Sequence, residues 1–132
     1  QDLNKFIKNR LKNRINIKNA FYRNKKINNH IHIIEEAAGV KASWFGMPML
    51  LSKKVDKNQF VKKIEASGIE TRPIISGNFL KQPSIKKYKL NSNKIFKNAD
   101  SINSRGFFIG LPTSRLSLSK INRMVNIFEK SL

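Results

Sequence analysis

Apolar residues recur at three- and four-residue steps from the start of the chain: Leu3, Phe6, Ile7, Leu11, Ile15 and Phe21 or Tyr22. Lys5, Lys8, Lys12 and Arg23 fall largely on the other side, so the spacing predicts one long helix from Asp2 to about Asn24. No capping signal precedes Asp2; the helix begins at full stride, as in a chain cut from something larger. Lys25 to Asn29 is a polar break with an Asn-Asn turn signal. His30 to Ile34 alternates as a short strand. Ser43 to Leu51 is the next strand, and Pro48 places it at an edge or on a bulge.

Asp56 followed by Gln59 matches a capping box for a helix running to Ser67, striped by Phe60, Val61 and Ile64. Gly68 supplies the left-handed stop and Ile69 the apolar residue that folds back. A strand from Ile69 to Ile75 follows, with Ile69, Ile74 and Ile75 as core. Lys81 to Lys97 is a long polar excursion without regular structure. Asn98 to Arg105 forms a short helix, Phe107 to Ile109 a strand. Ser117 caps a last helix whose Ile121, Met124, Val125, Phe128 and Leu132 share one face. The order predicts an α/β (α+β) fold: a long N-terminal helix, residues 1–24, then a small three- to four-stranded sheet packed by helices, residues 25–132.

Composition narrows the classes. A chain of 132 residues suits one domain. With no cysteine there is no disulfide framework or thiolate metal site. No apolar run is long enough to cross a bilayer and no signal-peptide pattern opens the chain, which makes the cytoplasm the expected compartment and a membrane partner unexpected. The balance of 27 Lys+Arg against 8 Asp+Glu gives a formal +19. That is the footprint of a nucleic-acid binder or an anionic-membrane binder. Yet lysine outnumbers arginine and the cations are spread along the chain. Lys, Asn and Ile share adenine- and thymine-rich codons, so a biased genome accounts for the charge equally well. A basic nucleic-acid-binding domain stays open as the alternative reading, and an assembly role for the first helix as a third.

Candidate chemistry is sparse. There is no Ser/His/Asp arrangement and no Gly-rich phosphate cradle. His30 and His32 have strand spacing but no third ligand, so they are solvated side chains rather than a metal site. What stands out is the polar turn after the strand, in 67–83. Arg72, Ser76, Gly77, Asn78 and Gln82 have no obvious packing task, and an arginine beside a Gly-Asn turn suits an anionic or hydroxyl-rich ligand. Trp44 and Phe45 are most simply core, although an aromatic pair leading into a glycine-containing strand also walls a pocket.

SWFGMPMLL, then a helix, GIETRPIISGNFLKQP, ADSINSRG, FFIGLP and the amphipathic last helix together resemble the C-terminal small domain of the PLP-dependent sugar aminotransferases of the DegT/StrS group. Arg72-Pro73, Gly77-Asn78 and Gln82-Pro83 are the most specific part, similar to the 4-keto-6-deoxyhexose 3-dehydratase branch of lipopolysaccharide sugar synthesis. The resemblance implies the aspartate-aminotransferase type I fold. It implies a homodimeric parent acting on nucleotide-linked 4-keto sugars, of which this chain is a fragment, inactive alone. The cofactor-anchoring lysine (histidine in the dehydratase branch) would belong to a large domain upstream; no residue here matches it, so PLP is expected in the parent and not on this piece. Arg72, Ser76, Gly77 and Asn78 would face the hexose or its diphosphate, with Trp44 and Phe45 as apolar walls. Leu111-Pro112-Thr113-Ser114-Arg115 departs from the family's usual glycine-containing stretch. Specific nucleic-acid binding is not expected.

Overall fold

The computed structural model describes residues 2–40, 42–88 and 94–132. Helix α1 spans Leu3–Arg23, and Asp2 itself caps it by accepting the Lys5 amide. The expected polar break after it is a short helix, α2, Lys25–His30. Asn24 accepts the Ile27 amide at 3.0 Å, and Ile27 is fully buried, so one cap and one anchor replace the missing apolar stripe. His30 therefore ends a helix, with its Nδ1 3.1 Å from the Ser52 hydroxyl, and does not share a strand face with His32.

Strands β1 (Ile31–Ile33), β2 (Gly46–Leu51), β3 (Thr71–Arg72) and β4 (Gly106–Gly110) form one antiparallel sheet in the order β1-β2-β4-β3. Pro48 thus lies in an interior strand, not at an edge. Its partner across the sheet shows how that is tolerated. Ile34 donates to the Pro48 carbonyl at 3.0 Å, but proline has no amide to return. Arg14 of α1 takes its place, donating to the Ile34 carbonyl at 2.7 Å.

The strand expected over residues 69–75 shortens to two residues because Pro73 ends the ladder. Ile69 packs against the core as expected, Ile74 is half-buried, and Ile75 is not core: it is 88% exposed. Helix α3, Lys57–Ala66, follows its Asp56 cap; Gly68 takes φ 89° and the Ile69 amide returns to the Ile64 carbonyl. The excursion expected to lack regular structure opens at the end of a 3-10 turn, Phe79–Lys81, and contains a short helix α4, Pro83–Lys87; its residues 89–93 lie outside the described ones. Helices α5, Lys97–Arg105, and α6, Leu118–Ser131, complete the chain.

Side chains alternate across the sheet. Met47, Met49, Leu51, Phe107 and Ile109 point to one face, where Ile17, Phe21, Phe60, Ile64, Ile121 and Phe128 from the helices close the core. Phe128 stands 4.8 Å from Phe21 and 5.5 Å from Phe60 between ring centroids, joining α1, α3 and α6 under the sheet. His32, Pro48, Leu50, Phe108 and Arg72 point the other way, and none of them is buried. The packed side of α1 also differs from the expected stripe: Asn13, Arg14, Ile17 and Phe21 are buried, whereas Leu3, Ile15 and Tyr22 are exposed. Asn13 is buried because its side chain holds the loop after β4, donating to Pro112 and Ser114 carbonyls and accepting the Leu116 amide.

Candidate functional site

The open face of the sheet carries a cross-strand row: Pro48 opposite Phe108, and Phe108 opposite Arg72. Around this row lies a hollow of about 360 Å3 walled by Trp44, Phe45, Pro48, Phe108, Ile74 and Ile75. Phe45 is 66% exposed, so it belongs to this wall rather than to the core, and its ring meets Phe108 edge-on at 5.6 Å. Trp44 is half-buried and held from behind: the Arg14 guanidinium lies 4.8 Å from its ring centroid, and Glu36 accepts its indole N–H. Gly46 leaves the room that the Phe108 ring occupies; a Cβ there would stand 2.6 Å from that ring.

Ile74 and Ile75 also wall a second, polar hollow of about 270 Å3, with Lys57, Ser76, Gln82 and Asn103. The two isoleucines therefore form a ridge between an aromatic pocket and a hydrogen-bonding one. Lys57 Nζ donates to the Asn103 carbonyl at 2.6 Å, and partial burial holds its pKa below the ordinary lysine value. No periodicity marks Lys57 or Asn103 as site residues; helix packing alone brings α3 and α5 to this place. Gln82 donates to the Ser76 carbonyl at 2.7 Å, which clasps the turn 76–82 across its neck.

The six residues expected at a ligand take different stations. Trp44 and Phe45 meet in the aromatic hollow, and Ser76 lines the polar one. Arg72 stands on the open face at the sheet edge, paired with Glu70; both side chains are well exposed. Gly77 takes φ 65° with no room for a Cβ against Asn103, so only glycine suits that step of the turn. Asn78 is not displayed but 5% exposed: it donates to Asp100 at 2.8 Å and accepts the Leu80 amide at 3.0 Å. It holds the turn up from beneath. Among the described residues no carboxylate lines either hollow; what these walls offer a ligand is apolar contact and hydrogen bonds.

A small antiparallel sheet packed by helices on one face is an architecture this chain shares with part of solved PLP-bound sugar-modifying enzymes. A solved structure of GDP-4-keto-6-deoxy-D-mannose 3-dehydratase from Escherichia coli with bound hydrated PLP superposes on 96% of this chain with TM-score 0.78 and 27% identity, using 31% of that protein. The GDP-4-keto-6-deoxy-D-mannose 3-dehydratase of Yersinia pseudotuberculosis is 33% identical over 117 residues, 86% of this chain and 29% of its own length. The lipopolysaccharide biosynthesis protein RfbH of Salmonella typhimurium is 30% identical over 90 residues, 67% of this chain and 20% of its own. The sequence profile of the DegT/DnrJ/EryC1/StrS aminotransferase family matches residues 1–129, and the chain belongs to that family. It spans less than a third of the length of these relatives.

Proposed function

We propose that this chain supplies the small-domain wall of the substrate cleft in a PLP-dependent enzyme that aminates or 3-dehydrates nucleotide-linked 4-keto sugars for lipopolysaccharide or cell-wall synthesis. In this reading a cofactor-binding domain of the same polypeptide provides the opposite wall, and the intact enzyme is a cytoplasmic homodimer. The observation that carries the proposal is the ridge of Ile74 and Ile75, which divides an aromatic hollow from a polar one immediately after Arg72-Pro73. Such a pairing suits a ligand with ring faces at one end and hydroxyls or phosphates at the other.

Each residue then has a task. Trp44, Phe45 and Phe108 pack against the flat parts of the ligand, while Ser76, Gln82 and Lys57 offer hydrogen bonds to its oxygens. Gly77 brings the backbone close and Asn78 holds the turn. Arg72 is available because its pair with Glu70 is exposed, worth about 0–1 kcal/mol. A shielded guanidinium–phosphate contact is worth about 1.5–3 kcal/mol, so phosphate displaces the glutamate.

The residues present do not fit PLP by themselves. Among the described residues neither hollow has a carboxylate for a pyridine nitrogen, and the amine that lines one, Lys57, is engaged by the Asn103 carbonyl. No step of the chemistry is therefore assigned to these side chains; their part is binding and orientation, and the chain alone is inactive.

Trp44 is the single tryptophan, so its emission reports on the cleft. Titration with GDP-mannose is expected to give a saturable change with Kd on the order of 1 mM, weakened about tenfold by Arg72→Ala. Emission that does not move would remove the cleft from the reading. An aldimine absorbance band on mixing the chain with PLP would overturn the assignment of the cofactor to another domain.

A further inference from the structure

Lysine is common enough in this chain that a cation cluster carries meaning only where the fold gathers it and charge is left over. Helix α5 has two such sides. Ile102 and Asn103 face the polar hollow of the cleft; by the helical repeat, Lys97, Ser101, Ser104 and Arg105 lie on the opposite side. There they bound a separate hollow of about 670 Å3, which Lys53, from the turn after β2, and Lys81, from the 3-10 turn, also line.

Four cations share this space with one carboxylate, Asp100. Asp100 is already matched. Lys81 Nζ stands 2.6 Å from its Oδ1, and the Asn78 amide donates to the same oxygen at 2.8 Å. These bonds hold its pKa below the ordinary carboxylate value, keeping it ionised and with Lys81. Lys53, Lys97 and Arg105 have no carboxylate partner among the described residues. Arg105 is no loose surface group: one terminal nitrogen donates to the Leu51 carbonyl at 2.7 Å and the other to the Ser101 hydroxyl. Those bonds fix its plane in the wall and leave further N–H donors for a ligand. Among the described residues no aromatic side chain lines the hollow, which sets it apart from the stacking platforms that single-stranded nucleic acid uses.

We propose that this hollow is a second binding site, separate from the cleft, for a small phosphate-bearing anion of the diphosphate class. Three uncompensated cations match the charge of a diphosphate, and the fixed guanidinium gives the site a geometry that diffuse charge lacks.

Calorimetric titration of the chain with inorganic pyrophosphate tests it, in about 150 mM sodium chloride, where charges beyond ~8 Å are largely screened. The expected result is saturable binding at one site per chain. Lys53→Ala with Lys97→Ala should weaken it by about tenfold or more, since two charge-assisted contacts are lost. Neither of those side chains has another bond among the described residues, so the fold is spared. Lys8→Ala with Lys12→Ala, which removes equal charge from α1, should leave binding unchanged. Heat that never saturates, or equal loss in both pairs, would reduce the effect to net charge and overturn the site. So would an oligonucleotide that displaces pyrophosphate and binds more tightly. Arg72→Ala, which removes the cleft's own phosphate contact, should leave this binding unchanged, so failure here leaves the cleft assignment untouched, and the reverse holds too.

Discussion

Arg14 joins three parts of the molecule through one guanidinium: the Ile34 carbonyl that Pro48 cannot serve, the Glu35 carboxylate at 3.2 Å, and the face of Trp44. Glu35 gathers Lys18 and the Tyr22 hydroxyl as well. Partial burial alone would raise the Glu35 pKa, but the bonds from Lys18, Tyr22 and Arg14 outweigh it and hold the carboxyl below its ordinary value. A depressed carboxylate stabilises the fold fully above its unfolded pKa, about 4.3, and that contribution fades as pH falls through the lower folded value. Glu35 is half-exposed, so the effect is modest, about 1 kcal/mol or less. In urea unfolding, Glu35→Gln should therefore be less stable than the parent at neutral pH, with the gap closing in acid. A gap independent of pH would mean that Glu35 contributes shape and not charge.

Helix α1 is the element whose existence was plain from its spacing and whose orientation was not. The three-and-four rhythm of Leu3, Ile7, Leu11 and Ile15 marks an apolar side, yet the body packs against Asn13, Arg14, Ile17 and Phe21. Asn13 and Arg14 are buried by bonds to a loop about a hundred residues away and to a strand end, and no local pattern encodes such partners. Ile17→Ala should cost about 2–5 kcal/mol, a fully buried side chain being removed. Ile15→Ala, at a position 45% exposed, should shift the unfolding midpoint little. Similar losses at both would return the packed side to the original stripe. Elsewhere, legibility followed local chemistry. The Asp56 cap, the Gly68 stop and the Ser117 cap each lie where their side-chain or backbone bond forms, so α3 and α6 could be read directly. Helix α2 could not, because a single buried isoleucine leaves no periodicity. The cleft was half legible. Aromatic and turn residues announce themselves, whereas Lys57 and Asn103 meet only through the packing of α3 and α5.

At the scale of the molecule, charge and cleft act through different physics. Among the described residues the helical core packs under one face of the sheet, and the aromatic hollow lies on the other. The basic residues behind the +19 charge are spread along the whole chain, and the four ion pairs among the described residues engage just three carboxylates, Glu35, Glu70 and Asp100. Repulsion among 27 basic side chains therefore opposes the compact state, and salt weakens that repulsion as the screening length drops from ~30 Å at 0.01 M to ~10 Å at 0.1 M. The Tm should rise with sodium chloride over this range, by about 3–4 °C if screening recovers 1 kcal/mol. Chloride is the salt to use, because sulfate and phosphate strengthen apolar burial by exclusion from the surface. A Tm that falls with chloride would show that the few ion pairs, Arg14–Glu35–Lys18 foremost, outweigh the repulsion of all the rest.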